Sequence, residues 1–98
     1  MITPKQRSNL RAIANTLEPV LQIGKEGITD GTLVQANALF EAREIFKIKV
    51  LNNCDVPPKD IAQELENECK CDVVQVIGSK ITVYRRSKRN NIKHIELE

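Results

Sequence analysis

Val20-Leu21-Gln22-Ile23-Gly24-Lys25-Glu26-Gly27-Ile28-Thr29 runs an apolar segment straight into a Gly-x-x-Gly tetrapeptide. The first four residues read as a strand. A helical pattern opens near Asp30 and continues to about Arg43, with Leu33, Ala36, Leu39 and Phe40 on its apolar side. Ile45 to Leu51 then reads as a second strand. Strand, glycine loop, helix and strand in this order predict an α/β unit. Gly24 and Gly27 let a backbone approach without a Cβ in the way. Free N–H groups at the start of the helix favour a negative group beside the loop. An ordinary strand-to-helix turn would also use two glycines, so the tetrapeptide alone leaves both readings open.

Working outward, Thr3-Pro4-Lys5-Gln6 is a helix start, with Thr3 as N-cap, Pro4 in the first position and Gln6 reaching back. Leu10, Ile13, Ala14 and Leu17 share one face of this helix, and Pro19 ends it near Thr16. On the other side of the second strand, Asn52 to Val56 forms a loop. Pro57 and Pro58 pre-set a third helix to about Cys69, with Ile61, Ala62, Leu65 and Cys69 as its buried stripe. Asp72 to Ile77 and Lys80 to Tyr84 are two strands joined by Gly78-Ser79, which suits a type II′ turn. The order α-β-α-β-α-β-β predicts a two-layer α/β sandwich with a four-stranded mixed sheet. The glycine usual at a helix C-terminus is missing from Glu68-Cys69-Lys70-Cys71-Asp72, so Lys70 is the residue expected to turn left-handed there.

The 98 residues allow one domain with a real core and little room for a deep active site. Phe40, Phe46 and Tyr84 are the only aromatics, so the core is mostly aliphatic. No apolar run approaches the roughly 20 residues of a membrane span, and the start lacks the long apolar stretch of a signal peptide; a soluble, cytoplasmic protein is expected. Cys54, Cys69 and Cys71 are odd in number and irregular in spacing, which points to reduced thiols without metal or disulfide. The single histidine, His94, leaves no Ser-His-acid or Cys-His set, and no Gly-Lys-Ser/Thr follows the glycines. The reading is a binding protein, not an enzyme, with no cofactor.

The net charge of +2 conceals a strong segregation. Arg85, Arg86, Lys88, Arg89 and Lys93 occur with no acid among them, whereas Asp60, Glu64, Glu66, Glu68 and Asp72 face only Lys70. In the second strand Lys47 and Lys49 alternate against Phe46, Ile48 and Val50; in the last, Lys80, Thr82 and Tyr84 alternate against Ile81 and Val83. If the apolar sets face the helices, the opposite sheet face is basic with one tyrosine, which suits nucleic acid or simply water.

Three segments resemble one family in order and spacing. Leu17 to Thr29 is similar to the opening of the YhbY-like or CRM domain, named for chloroplast RNA splicing and ribosome maturation. Glu44-Ile45-Phe46-Lys47-Ile48-Lys49-Val50 is similar to its Glu-Leu-Ile-Lys-Val-Lys strand, and Val74 to Arg85 to its closing hairpin. The resemblance spans roughly residues 3 to 86 and implies a fold akin to the C-terminal domain of bacterial translation initiation factor three, with an added N-terminal helix. It also implies an RNA-binding protein acting on precursor ribosomal RNA during large-subunit assembly. A Gly-x-x-Gly loop clamping a sugar-phosphate backbone is the mode of KH-type modules. The expected RNA-binding residues are Gly24, Lys25, Glu26 and Gly27, with Arg7, Arg11, Lys47, Lys49, Arg85 and Arg86 extending the footprint. The expected organisation is a CRM-like domain over 1–86 and a basic tail over 87–98, mobile in a monomer. The alternative is a protein-interaction module that docks a basic ribosomal protein or assembly factor through the acidic third helix.

Overall fold

The computed structural model describes residues 2–97. The elements are α1 (Pro4–Ala14), β1 (Pro19–Ile23), α2 (Asp30–Arg43), β2 (Ile45–Val50), α3 (Pro58–Cys69), β3 (Asp72–Ile77) and β4 (Lys80–Tyr84). They form an α/β fold with three helices and a mixed sheet of order β1-β2-β4-β3. β1 and β2 are parallel, joined through α2; β4 is antiparallel to both β2 and β3.

The local signals act as the residue types require. Thr3 accepts the Gln6 N–H at 3.1 Å and the Gln6 side chain accepts the Thr3 N–H at 2.9 Å, closing a capping box on α1. Pro58 occupies the first turn of α3. Lys70 ends that helix left-handed at φ 54°, which costs about 1 kcal/mol relative to glycine. Gly78 takes the positive φ of 57° that the hairpin turn demands, and Ser79 does not.

α2 and α3 cover one sheet face. Ala36 and Phe40 of α2 and Ile61, Ala62, Leu65 and Cys69 of α3 bury against Leu21, Ile23, Phe46, Ile48, Val50, Ile81 and Val83. The Phe40 and Phe46 rings sit 4.7 Å apart and tilted by 55°. Each buried side chain of this size contributes on the order of 2–3 kcal/mol.

The other face departs from expectation. Thr82 is 2 % and Tyr84 4 % exposed, so they do not belong to an open polar surface. β4 is the strand between β2 and β3, and α1 lies across this end of the sheet. Leu10 and Ala14 of α1, Ile2, Ile45, Val74 and Tyr84 form a second apolar cluster, flanked by Leu17, Ile95 and Leu97. A bulge between Val73 and Gln75 lets Val74 join it. Ile13, expected on the buried face of α1, is 42 % exposed; Leu10 and Ala14 carry the buried face.

The segment after β4, expected to be mobile, is anchored. The fully buried Glu44 carboxylate accepts the Ser87 N–H and the Ile95 N–H, each at 2.7 Å, and lies 2.6 Å from Nδ1 of His94. Glu41 accepts the Lys88 N–H at 3.0 Å, and the Ser87 hydroxyl donates to the Glu41 carbonyl. Burial pushes the Glu44 carboxyl up, but the bonds from His94, Ile95 and Ser87 outweigh it and hold the group below its ordinary value. Glu44 carries a positive φ of 68° at the end of α2, a conformation that costs on the order of 1–3 kcal/mol and persists because its neighbours determine it.

Candidate nucleic-acid interface

The glycine loop leaves the sheet where Ile23 pairs with Val50 and closes as a turn, Gly27 N–H donating to the Gly24 carbonyl at 2.9 Å. Its two glycines have different reasons to be there. Gly27 needs its residue type for a φ of +66°, while a Cβ on it would meet open space. Gly24 has no such φ; a Cβ there would touch Asn53 at 3.4 Å and Leu51 at 3.5 Å, ordinary contact. Gln22, Gly24, Lys25, Glu26, Gly27, Thr29 and Thr32 line a shallow depression of about 270 Å³. Lys25 and Glu26 are both exposed on its rim.

The start of α2 is less of an anion trap than the sequence suggests. The Thr29 hydroxyl already accepts the Thr32 N–H at 3.2 Å, and the Thr29 carbonyl accepts the Leu33 N–H. Asp30 adds a carboxylate to the first turn, so the positive helix end is partly met from within the chain.

Beside the loop, the uncovered half of the second sheet face carries the lysines. Register puts Gln22 of β1 next to Lys49 of β2, and Lys49 directly opposite Lys80 of β4; Lys47 lies opposite Thr82. Lys80 is exposed and Lys47 and Lys49 are half-buried. Lys49 and Lys80 are a like-charge cross-strand pair, with Cβ atoms about 4.5–5.5 Å apart in such geometry, an arrangement that destabilises a sheet unless an anion sits over it. Among the described residues Arg85 pairs with Glu41 and His94 hydrogen-bonds Glu44, and neither contact involves these lysines. The acids Asp60, Glu64, Glu66 and Glu68 are exposed on α3, across the sheet.

The remaining expected residues lie elsewhere. About 14 Å of β4 separates Lys80 from Tyr84, at roughly 3.4 Å per residue, so Arg85 and Arg86 are at the far end of the sheet from the loop. Arg86 is exposed there. Arg85 is committed inward: its guanidinium donates to the Cys69 carbonyl and to Asn37, both at 2.8 Å, pairs with Glu41 at 3.2 Å, and lies 4.7 Å over the Phe40 ring. It ties α2, α3 and β4 together and leaves the candidate footprint. Arg7 likewise donates to the Val73 carbonyl, holding α1 on β3. Arg11 is exposed in the last turn of α1. Gln22, Thr29 and Thr32 are additions; strand alternation of Gln22 against Leu21 and Ile23 was the signal for the first.

Residues 2–85 match the family model for the CRS1/YhbY (CRM) domain. The chain belongs to that family. It is 41 % identical over 97 residues to YqeI of Bacillus subtilis, named a probable RNA-binding protein, with 99 % of each chain covered. It is 29 % identical to an RNA-binding protein of Haemophilus influenzae over 94 % of this chain and 93 % of that one. The solution structure of SAV1595 from Staphylococcus aureus, described as a candidate RNA-binding protein, superposes over the full length of both chains with a TM-score of 0.82 at 42 % identity. No helix among the described residues is long and apolar enough to cross a membrane.

Proposed function

We propose that this protein binds RNA without catalysing a reaction, and that its target is precursor ribosomal RNA during large-subunit assembly. The carrying observation is the shared position of the Gly24–Gly27 turn and the facing Lys49–Lys80 pair at one end of one sheet face. RNA phosphates over that pair would relieve its repulsion, while Lys25 reaches the adjoining sugar-phosphate. The relatives named as RNA-binding proteins support the partner class. The ribosomal target rests on the family resemblance of the three sequence segments. The acidic α3 surface, turned away from the lysines, orients the molecule on a polyanion.

Affinity for a labelled RNA, measured over a range of salt, tests the reading. Replacing Lys49 and Lys80 by alanine removes two phosphate contacts and is expected to lower the salt slope by about 1.4, at roughly 0.7 per contact. Unchanged affinity and slope in a folded double variant would overturn this placement. Crosslinking in cells followed by sequencing of the attached RNA tests the ribosomal target; recovery of no ribosomal RNA would refute it.

A further inference from the structure

At the opposite end of the same sheet, the segment after β4 makes a second basic surface. Arg86, Lys88, Arg89 and Lys93 are all exposed. Lys88, Arg89 and Lys93 are carried on a loop whose two ends are fixed to one carboxylate, since Glu44 accepts from Ser87 N–H and from Ile95 N–H, and Arg86 directly precedes it. Glu41, one helical turn earlier, holds Lys88 N–H and pairs with Arg85. Arg86 and Lys93 flank a groove of about 660 Å³ whose other walls are Tyr84, His94, Ile95, Glu96 and Leu97.

Two features of this arrangement call for a purpose. Glu41 and Glu44 put negative charge at the C-terminus of α2, the end of a helix dipole that disfavours it. Glu44 also holds a backbone conformation that side-chain-bearing residues rarely adopt. Both concessions serve one geometric result: nine residues of tail, from Ser87 to Ile95, are closed into a loop of fixed shape. A loop with three outward cations, Arg86 directly before it and an internal carboxylate anchor loses little freedom when a polyanion arrives.

We propose that Arg86, Lys88, Arg89 and Lys93 form a second phosphate-binding surface for the same RNA strand or hairpin, with Glu44 as the residue that positions it. The proposal rests on the RNA-binding reading of the loop end. The two surfaces lie at opposite ends of β4, about 14 Å long, and α1 packs over its Tyr84 end, so a bridging strand passes beside α1 and needs more than the roughly four phosphates that 14 Å of stacked strand holds at about 3.4 Å each. An RNA long enough to bridge them engages both, and a shorter one engages only the loop end.

The test uses the full chain with a fluorescein-labelled single-stranded oligouridylate and a labelled RNA hairpin, titrated at several salt concentrations. Arg86→Gln with Lys93→Gln is expected to weaken binding roughly fivefold to tenfold and to lower the salt slope by about 1.4. Glu44→Gln is expected to weaken binding in the wild-type background, with faster exchange of the Ser87 and Ile95 amides, but to add nothing once Arg86, Lys88, Arg89 and Lys93 are all changed to Gln. That non-additivity separates positioning from general damage to the fold, and both arginine and lysine positions are exposed, so the double variant folds. If wild type binds, the Lys49→Ala/Lys80→Ala variant loses binding and Arg86→Gln/Lys93→Gln binds as wild type, the second surface is refuted while the RNA reading stands. If wild type binds neither RNA, the underlying reading fails first. Independent, additive losses from Glu44→Gln and the four surface changes would overturn the positioning role.

Discussion

Arg85 and Arg86 are adjacent and carry the same charge, and the structure gives them opposite roles that a pair of alanine substitutions can separate. Arg85→Ala removes a charged donor from the Cys69 carbonyl at the end of α3 and from Asn37 on α2, and a cation lying 4.7 Å over Phe40. A hydrogen bond from a charged group contributes about 1.5–3 kcal/mol, and a partly buried cation–π contact about 0.5–1 kcal/mol. The buried Nε of Arg85 has no acceptor, which is a desolvation cost that its removal recovers. The side chain is also 22 % exposed, so the upper ends of these ranges do not apply. The net expectation is a loss of about 2–3 kcal/mol. For a domain of this size each kcal/mol moves the melting temperature by roughly 4–8 °C, so Arg85→Ala should melt about 10–20 °C lower. Arg86→Ala, on the exposed side of the same segment, should stay within about 0.5 kcal/mol of wild type. Thermal and urea unfolding followed by circular dichroism measure both. Equal melting of Arg85→Ala and wild type would refute the account of Arg85 as the tie between α2, α3 and β4; so would a larger loss from Arg86→Ala.

Gly27→Ala should cost about 1 kcal/mol through its left-handed φ, whereas Gly24→Ala, which needs no such angle, should cost less; urea midpoints rank them. Lys70→Gly should stabilise by roughly 1 kcal/mol because the left-handed helix end at φ 54° suits glycine, seen as a higher melting temperature. Glu44 sits below its ordinary value of 4.5 in the folded state. Its stabilising contribution is therefore complete above the unfolded value and is lost as pH falls through the folded one, so the melting gap between wild type and Glu44→Gln should close in that acid range. Thiol labelling at neutral pH should modify half-exposed Cys54 first, because burial pushes the Cys71 thiol up to about 12 and raises that of Cys69; fast labelling of Cys71 would contradict its burial.

Much of the architecture was legible because periodicity and punctuation agree. Thr3 with Gln6, Pro58 at the first turn of α3, and Gly78 in the hairpin each mark a boundary that the structure keeps. The alternation of Phe46, Ile48 and Val50 against Lys47 and Lys49 identified the core face of β2. Strand order is a different matter. A hairpin signal does not say which of its strands enters the sheet, and β4 taking the inner place beneath α1 is what buried Thr82 and Tyr84. The direction of a long side chain is equally hidden. Arg7 and Arg85 look like surface cations in a string of letters, and only the fold shows the Val73 and Cys69 carbonyls waiting for them. Glu44 gave no local sign at all, since its partners are more than forty residues away.

The second apolar cluster joins Ile2, Leu10 and Ala14 to Ile95 and Leu97, and so links the first and last described stretches of the chain. During synthesis the first cluster can close once β4 has left the ribosome, because all its residues lie between Leu21 and Val83. α1 must wait longer: its full set of neighbours exists only when the tail emerges. In order of synthesis, the residues of the α2–α3 layer are therefore complete while α1 still lacks its partners in the tail. The same proximity of the two ends suggests a permuted gene, joined end to end and reopened between Asn52 and Val56, as a direct probe of that order: it would deliver α1 and the tail to each other early and leave the sheet until last.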